Sequence, residues 1–241
     1  MIDPAQLLAL VLAALAASTL AAVAGFGGAA ILLPVLVGIF GVRDAIPILT
    51  VIQLVGNASR AAFNRRQLDL PVVGWFAVGA VPFALLGGIV FAAAPAGFLT
   101  RLVGAFLLLS VAWRHTRRGR QSHLPLHGFV AVGGVFSFIS ALAGTVGPMM
   151  APFFLAYGLV KGAFIGTEAL ASAVMHVTKL VAYGGASLLT VENVAVGAAL
   201  GPLMIAGSWA GKRIVDRLPE RLFVAIIEAV LVITGLAFLI A

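Results

Sequence analysis

Apolar residues in this chain fall in long blocks, each bounded by charge or by Pro and Gly. An apolar block of about 18 or more residues is long enough to cross a bilayer as a helix. Ten segments can be drawn, over 5–24, 27–41, 45–63, 72–92, 98–114, 126–143, 146–160, 163–184, 192–210 and 221–240. The second and seventh are short for a full crossing of about 20 residues. The expected fold is all-α: a polytopic membrane protein whose partner along most of its surface is the lipid bilayer.

Composition supports this reading. Hydrophobic residues make up 62% of the 241 and charged residues 10%, against about half and a quarter in soluble domains. The opening "MIDPAQLLALVLAALAAS" carries Asp3 rather than a basic start, so it reads as a membrane segment rather than a cleaved signal peptide. There is no cysteine, which excludes disulfides, thiolate metal sites and thiol nucleophiles. The formal charge of +7 reads as loop topology, with no nucleic-acid partner. Arg65 and Arg66, the central Arg114, Arg117, Arg118 and Arg120, and then Lys212, Arg213 and Arg217 alternate with neutral loops. With these basic loops in the cytoplasm, both termini face outward.

The halves resemble each other at a shift of roughly 118–120 residues. "GFGGAAILLPVLVGIFGVRDA" aligns with "GTVGPMMAPFFLAYGLVKGA", "FAVGAVPFALLGG" with "VAVGAALGPLMIAG", and "TRLVGAFLLL" with "ERLFVAIIEA". The expected organisation is an N-terminal repeat over 1–118 and a C-terminal repeat over 119–241. Five segments each is an odd number, so the copies are expected to be inverted. The loop charges agree, because the basic loop at Arg65 corresponds to the neutral one near Ser187. Inverted repeats are characteristic of secondary transporters, with the site at mid-membrane where the repeats meet.

Each repeat has a glycine cluster inside an apolar run, at Gly25, Gly27 and Gly28 and again at Gly144 and Gly147. Lipid tolerates irregular backbone only where protein buries it or water lines it. Glycines in membrane helices can instead serve close packing. Because the clusters are related by the repeat and followed by Pro34, Pro148 and Pro152, broken or re-entrant helices are the expectation. A helix restarted after such a break presents free N–H groups and a positive dipole end, which suits an anion.

Polar stripes follow the breaks. Gln53, Asn57, Arg60 and Asn64 sit at spacings of 0, 4, 7 and 11, as do Ser172, His176, Lys179 and Tyr183. Such spacing places each set on one helix face, and a shift of 119 superimposes them. Polar groups within a membrane face a cavity or a partner. Arg60 therefore either lines a cavity or snorkels to the nearby interface, and His176 is either a ligand or an interhelical hydrogen-bond partner. The candidate binding set is Gly25, Phe26, Gly27, Gly28, Gln53, Asn57, Arg60, Gly144, Thr145, Gly147, Ser172, His176 and Lys179. Glu168, His176 and Glu228 are the groups able to carry a coupling proton; either glutamate could equally pair with Lys179 or Arg60 as structure.

With the repeated glycine break, its trailing proline and the inverted halves, the chain resembles the TauE/SafE family of sulfite and organosulfonate exporters. The resemblance rests on "GFGGAAILLPVL" and "GTVGPMMAPFFL" and extends over nearly the whole chain. It reaches Gly25, Gly27, Gly28 and Pro34, then Gly144, Gly147 and Pro152. Val146 and Pro148 interrupt the glycines of the second copy, which weakens that helix start as an amide donor. The resemblance implies a secondary transporter for a small anion, such as sulfite or a sulfonate, in the bacterial inner membrane. No cofactor and no metal is expected. A passive anion channel is the alternative, and self-association is left open. An intramembrane enzyme fits less well: Ser137 and Ser140 have no histidine at helical spacing, Pro125 separates His123 from His127, and no HExxH motif occurs.

Overall fold

The structure, a computed structural model, describes residues 3–116, 124–214 and 236. Eight α-helices lie among the described residues: α1 Pro4–Ala24, α2 Gly28–Phe63, α3 Leu70–Ala93, α4 Ala96–Thr116, α5 Phe129–Ala143, α6 Gly147–Tyr157, α7 Lys161–Gly185 and α8 Val191–Ile214. Two short 3-10 turns, Arg65–Gln67 and Leu126–Gly128, precede α3 and α5. Six spans are long and apolar enough to cross a membrane, namely α1, α2, α3, Leu126–Ala143, α7 and most of α8. This is a multi-pass membrane protein. Nine of the ten expected segments fall on these helices. The tenth, 221–240 with Glu228, lies outside the described residues.

Local chemistry sets the boundaries. Asp3 and Gln6 form a reciprocal capping box at the start of α1, with Pro4 in its first turn. Gly25 ends that helix with φ +81°, its N–H bonded to Ala21 O. The Asp69 carboxylate caps α3 by accepting from Val72 N–H at 3.1 Å.

Segments 27–41 and 45–63 join into one kinked helix. Gly41 turns the corner of α2 with φ 73° and ψ 162°, a region essentially reserved for glycine. Arg43 and Asp44, which look like loop residues in the sequence, are helical here. The Arg43 guanidinium donates to Ala92 O and, at 2.5 Å, to Ala94 O at the end of α3, and Asp44 accepts from Asn193 Nδ2.

α3 lies along α5 and α1 along α8, while α7 packs on α2 and α3, and α8 on α2. Two buried clusters result, one around Leu32, Leu36, Ile46 and Ile52, the other around Phe76, Phe129, Met150 and Phe154. Val78, Val81, Leu86 and Ile89 of α3 stay exposed, as side chains facing lipid should. The α3–α5 crossing depends on glycine. A Cβ on Gly79 would strike Val130 O, and one on Gly133 would strike Phe76 O; small residues of this kind let membrane helices approach closely. Gly133→Ala is therefore expected to lower stability by about 1–3 kcal/mol. Gly74→Ala on the same helix, where an added methyl meets nothing within 4 Å, should be neutral or gain about 0.5–1 kcal/mol. Thermal unfolding of the two variants in detergent checks the contrast; equal melting temperatures would contradict it.

Candidate functional site

Two helix starts meet at the centre of the site. α1 stops at Gly25 and α2 begins at Gly28, with Gly25 and Gly27 both at positive φ. The first N–H groups of a helix have no carbonyl a turn earlier to bond. Ala30 N–H turns back to Gly27 O at 3.1 Å, so Gly28 and Ala29 are the amides that α2 offers outward. In the second break, α5 stops at Gly144 (φ +80°) and α6 begins at Gly147. Pro148 has no N–H, and Met149 and Met150 N–H both return to Val146 O at 3.0 Å. This start is the poorer donor, with Gly147 as its outward amide. A Cβ on Gly147 would lie 3.1 Å from Phe26 Cβ and 3.7 Å from Gly27 N, so the two breaks abut.

A cavity with about 380 Å³ of empty space, its open mouth included, lies between them. Phe26, Gly27 and Gly28 line it from the first break, and Gly144, Thr145 and Gly147 from the second. α2 contributes Gln53, Asn57 and Arg60, while α7 contributes Glu168, Ser172 and His176. Two expected residues do not reach the lining. Gly25 lies behind it as a backbone acceptor, and Lys179 lies behind Ser140.

Arg60 is 5% exposed and does not snorkel. Its Nη1 donates to Ala21 O at 2.9 Å and to Gly25 O at 2.8 Å, and its Nη2 donates to Asn57 Oδ1. A guanidinium at the C-terminal carbonyls of α1 offsets the negative end of that helix. The positive start of α2, a few residues on, is then left to face the cavity. Lys179 is fully buried, and its Nζ donates to Ser140 Oγ at 3.1 Å. Tyr183 donates to Ala141 O at 2.6 Å, so α7 is stitched to the end of α5 at two successive residues.

Two cavity-wall side chains carry atoms with no partner among the described residues. Glu168 is 2% exposed; its Oε1 accepts from Ser172 Oγ at 3.0 Å, while Oε2 has none. His176 Nδ1 is likewise unpartnered. Glu168 and Arg60 also interact electrostatically. A buried polar atom without a partner costs about 1–3 kcal/mol, which a ligand that satisfies it would recover.

Ala21, Ala29, Ser140, Val146 and Met175 line the cavity as well and were not expected from the sequence. Ser140 alone carried a signal: it lies one helical turn before Gly144 and occupies the position equivalent to Ala21 at the 119-residue shift.

A family model described as Sulfite exporter TauE/SafE matches residues 10–238. No curated protein matches the chain, and no solved structure does.

Proposed function

The chain belongs to the TauE/SafE sulfite exporter family, a family of membrane transporters of the bacterial inner membrane, and from that premise we propose that it is a secondary carrier for a small sulfur oxyanion. The observation that carries this reading is the meeting of two helix starts, at Gly28 and Gly147, at one buried cavity beside Arg60. Each start supplies backbone donors and roughly half a positive charge. Asn57, Ser172 and His176 add side-chain hydrogen-bonding groups suited to the remaining oxygens of a compact oxyanion.

The two halves, 1–118 and 119–241, act as inverted repeats around this site. Three correspondences support that part of the proposal. Arg60 bonds the backbone of residue 21, and its counterpart Lys179 bonds the side chain of residue 140, a match at a shift of 119. Exchanging the halves turns the α3–α5 pair into α8–α1. The same exchange turns the α3–α7 pair into α8–α2. In this scheme the glycine breaks are the broken helices of each repeat, and the halves rock about the anion to open one side at a time.

The test is calorimetric titration of purified protein with sulfite, sulfate, thiosulfate and methanesulfonate, followed by counterflow in proteoliposomes. Saturable binding to one anion class with counterflow is the expected result. Conduction without saturation or counterflow would mean a channel. Absence of binding in folded protein would remove the anion site altogether.

A further inference from the structure

We propose that the anion enters this cavity together with one proton, which binds Glu168 Oε2. This rests on the anion reading above and specifies the form in which the cargo is held. Glu168 of α7 lines the same cavity as the helix starts, buried and with one oxygen unpartnered among the described residues. As a carboxylate it counters the charge of Arg60. An anion arriving beside Arg60 takes over that role and is repelled by the carboxylate. A proton on Oε2 removes the repulsion and converts an orphaned acceptor into a donor aimed at the cargo. The resulting O–H···O⁻ bond belongs to the strong, charge-assisted kind. Oε1 keeps its bond from Ser172 in both states.

The surroundings favour Glu168 over other groups. Arg60 on α2 is the charged neighbour that faces it. Along α7 itself lie His176 and, further on, Lys179, with Lys161 at the helix start. The turn before α3 brings Arg65 and Arg66 near that start. Asp69 is held there by capping Val72 N–H, its own N–H donating to Thr167 Oγ1 at 2.9 Å. From α5 the cavity receives the uncharged Ser140, and Tyr157 of α6 packs edge-on against Phe129. His176 is flanked by two basic side chains, Arg60 and Lys179, and serves as a hydrogen-bond partner for a cargo oxygen.

The test counts protons. Anion binding to the purified full chain is measured calorimetrically in two buffers of different ionisation enthalpy, with sulfate and methanesulfonate as probes because neither carries a titratable proton near neutral pH. Sulfite is also measured, and the difference between wild type and variant cancels its own proton. Wild type is expected to take up about one proton per anion, and its affinity to weaken about tenfold per pH unit across the range in which Glu168 titrates. Glu168→Gln keeps a neutral, donor-bearing group, so it should bind with no proton uptake and a flat pH profile.

A wild-type count of zero overturns the proposal, even if Glu168→Gln proves too unstable to purify. Equal counts in wild type and Glu168→Gln place the proton elsewhere and overturn it too. If no probe binds wild type, the anion reading falls first and this inference with it.

Discussion

Arg60→Ala should abolish sulfite counterflow in proteoliposomes and destabilise the protein as well. The side chain binds two backbone carbonyls at the end of α1 and the Asn57 amide, and hydrogen bonds to charged groups contribute about 1.5–3 kcal/mol each. Truncation leaves Ala21 O with the single bond from Gly25 N–H and removes a positive charge that interacts with Glu168. Binding should fall at least about 100-fold, the equivalent of about 2.8 kcal/mol. Arg60→Lys separates charge from geometry, because a single ammonium cannot reproduce the planar fork that spans all three acceptors. That variant is expected to bind weakly and to melt between wild type and Arg60→Ala. Near-normal counterflow in Arg60→Ala would refute the assignment.

Lys179→Met should raise the melting temperature and eliminate transport. Lys179 is fully buried with one hydrogen bond, to Ser140, and no carboxylate bridges it among the described residues. A buried ammonium held by one hydrogen bond is a cost to the fold, and a hydrophobic side chain of similar volume removes that cost. An ionisable residue inside a membrane segment is a functional candidate by default, and in the proposed carrier Lys179 is kept at the expense of stability. The measurement is paired thermal unfolding and counterflow. A variant that melts lower than wild type would show that the Lys179–Ser140 contact stabilises the fold, and retained counterflow would show that transport does not need Lys179.

Much of the candidate cavity's lining was legible because polar residues are scarce in an apolar chain. Gln53, Asn57 and Arg60, and Ser172 and His176, stand out as single-face stripes, and all five line the cavity. The glycine clusters were equally visible, since a positive-φ residue inside a membrane run requires one. What stayed hidden was the partner of each polar group. Nothing in the sequence says that Arg60 would be bound to the carbonyls of Ala21 and Gly25, because every residue carries a carbonyl and only the fold selects two of them. The position of Ser140 carries a signal, but its partner does not show until Lys179 is placed against it. In the fold, Arg43 and Asp44 suggested a loop between two segments. They sit inside α2 because neighbouring helix ends supply their partners, Ala92, Ala94 and Asn193.

The corners within 1–118 and 119–241 are built differently. In the first, Gly41 alone makes the turn, and the backbone stays helical on both sides of it within α2. In the second, α6 ends at Tyr157 and α7 starts at Lys161, with Gly158 at φ +105° just after the one helix and Lys161 at φ 49° opening the other. In the rocking scheme proposed above, α2 would therefore carry its bend as one continuous helix, whereas α6 and α7 would change their mutual angle through the short link at 158–160, so the two corners would not contribute equally to the movement.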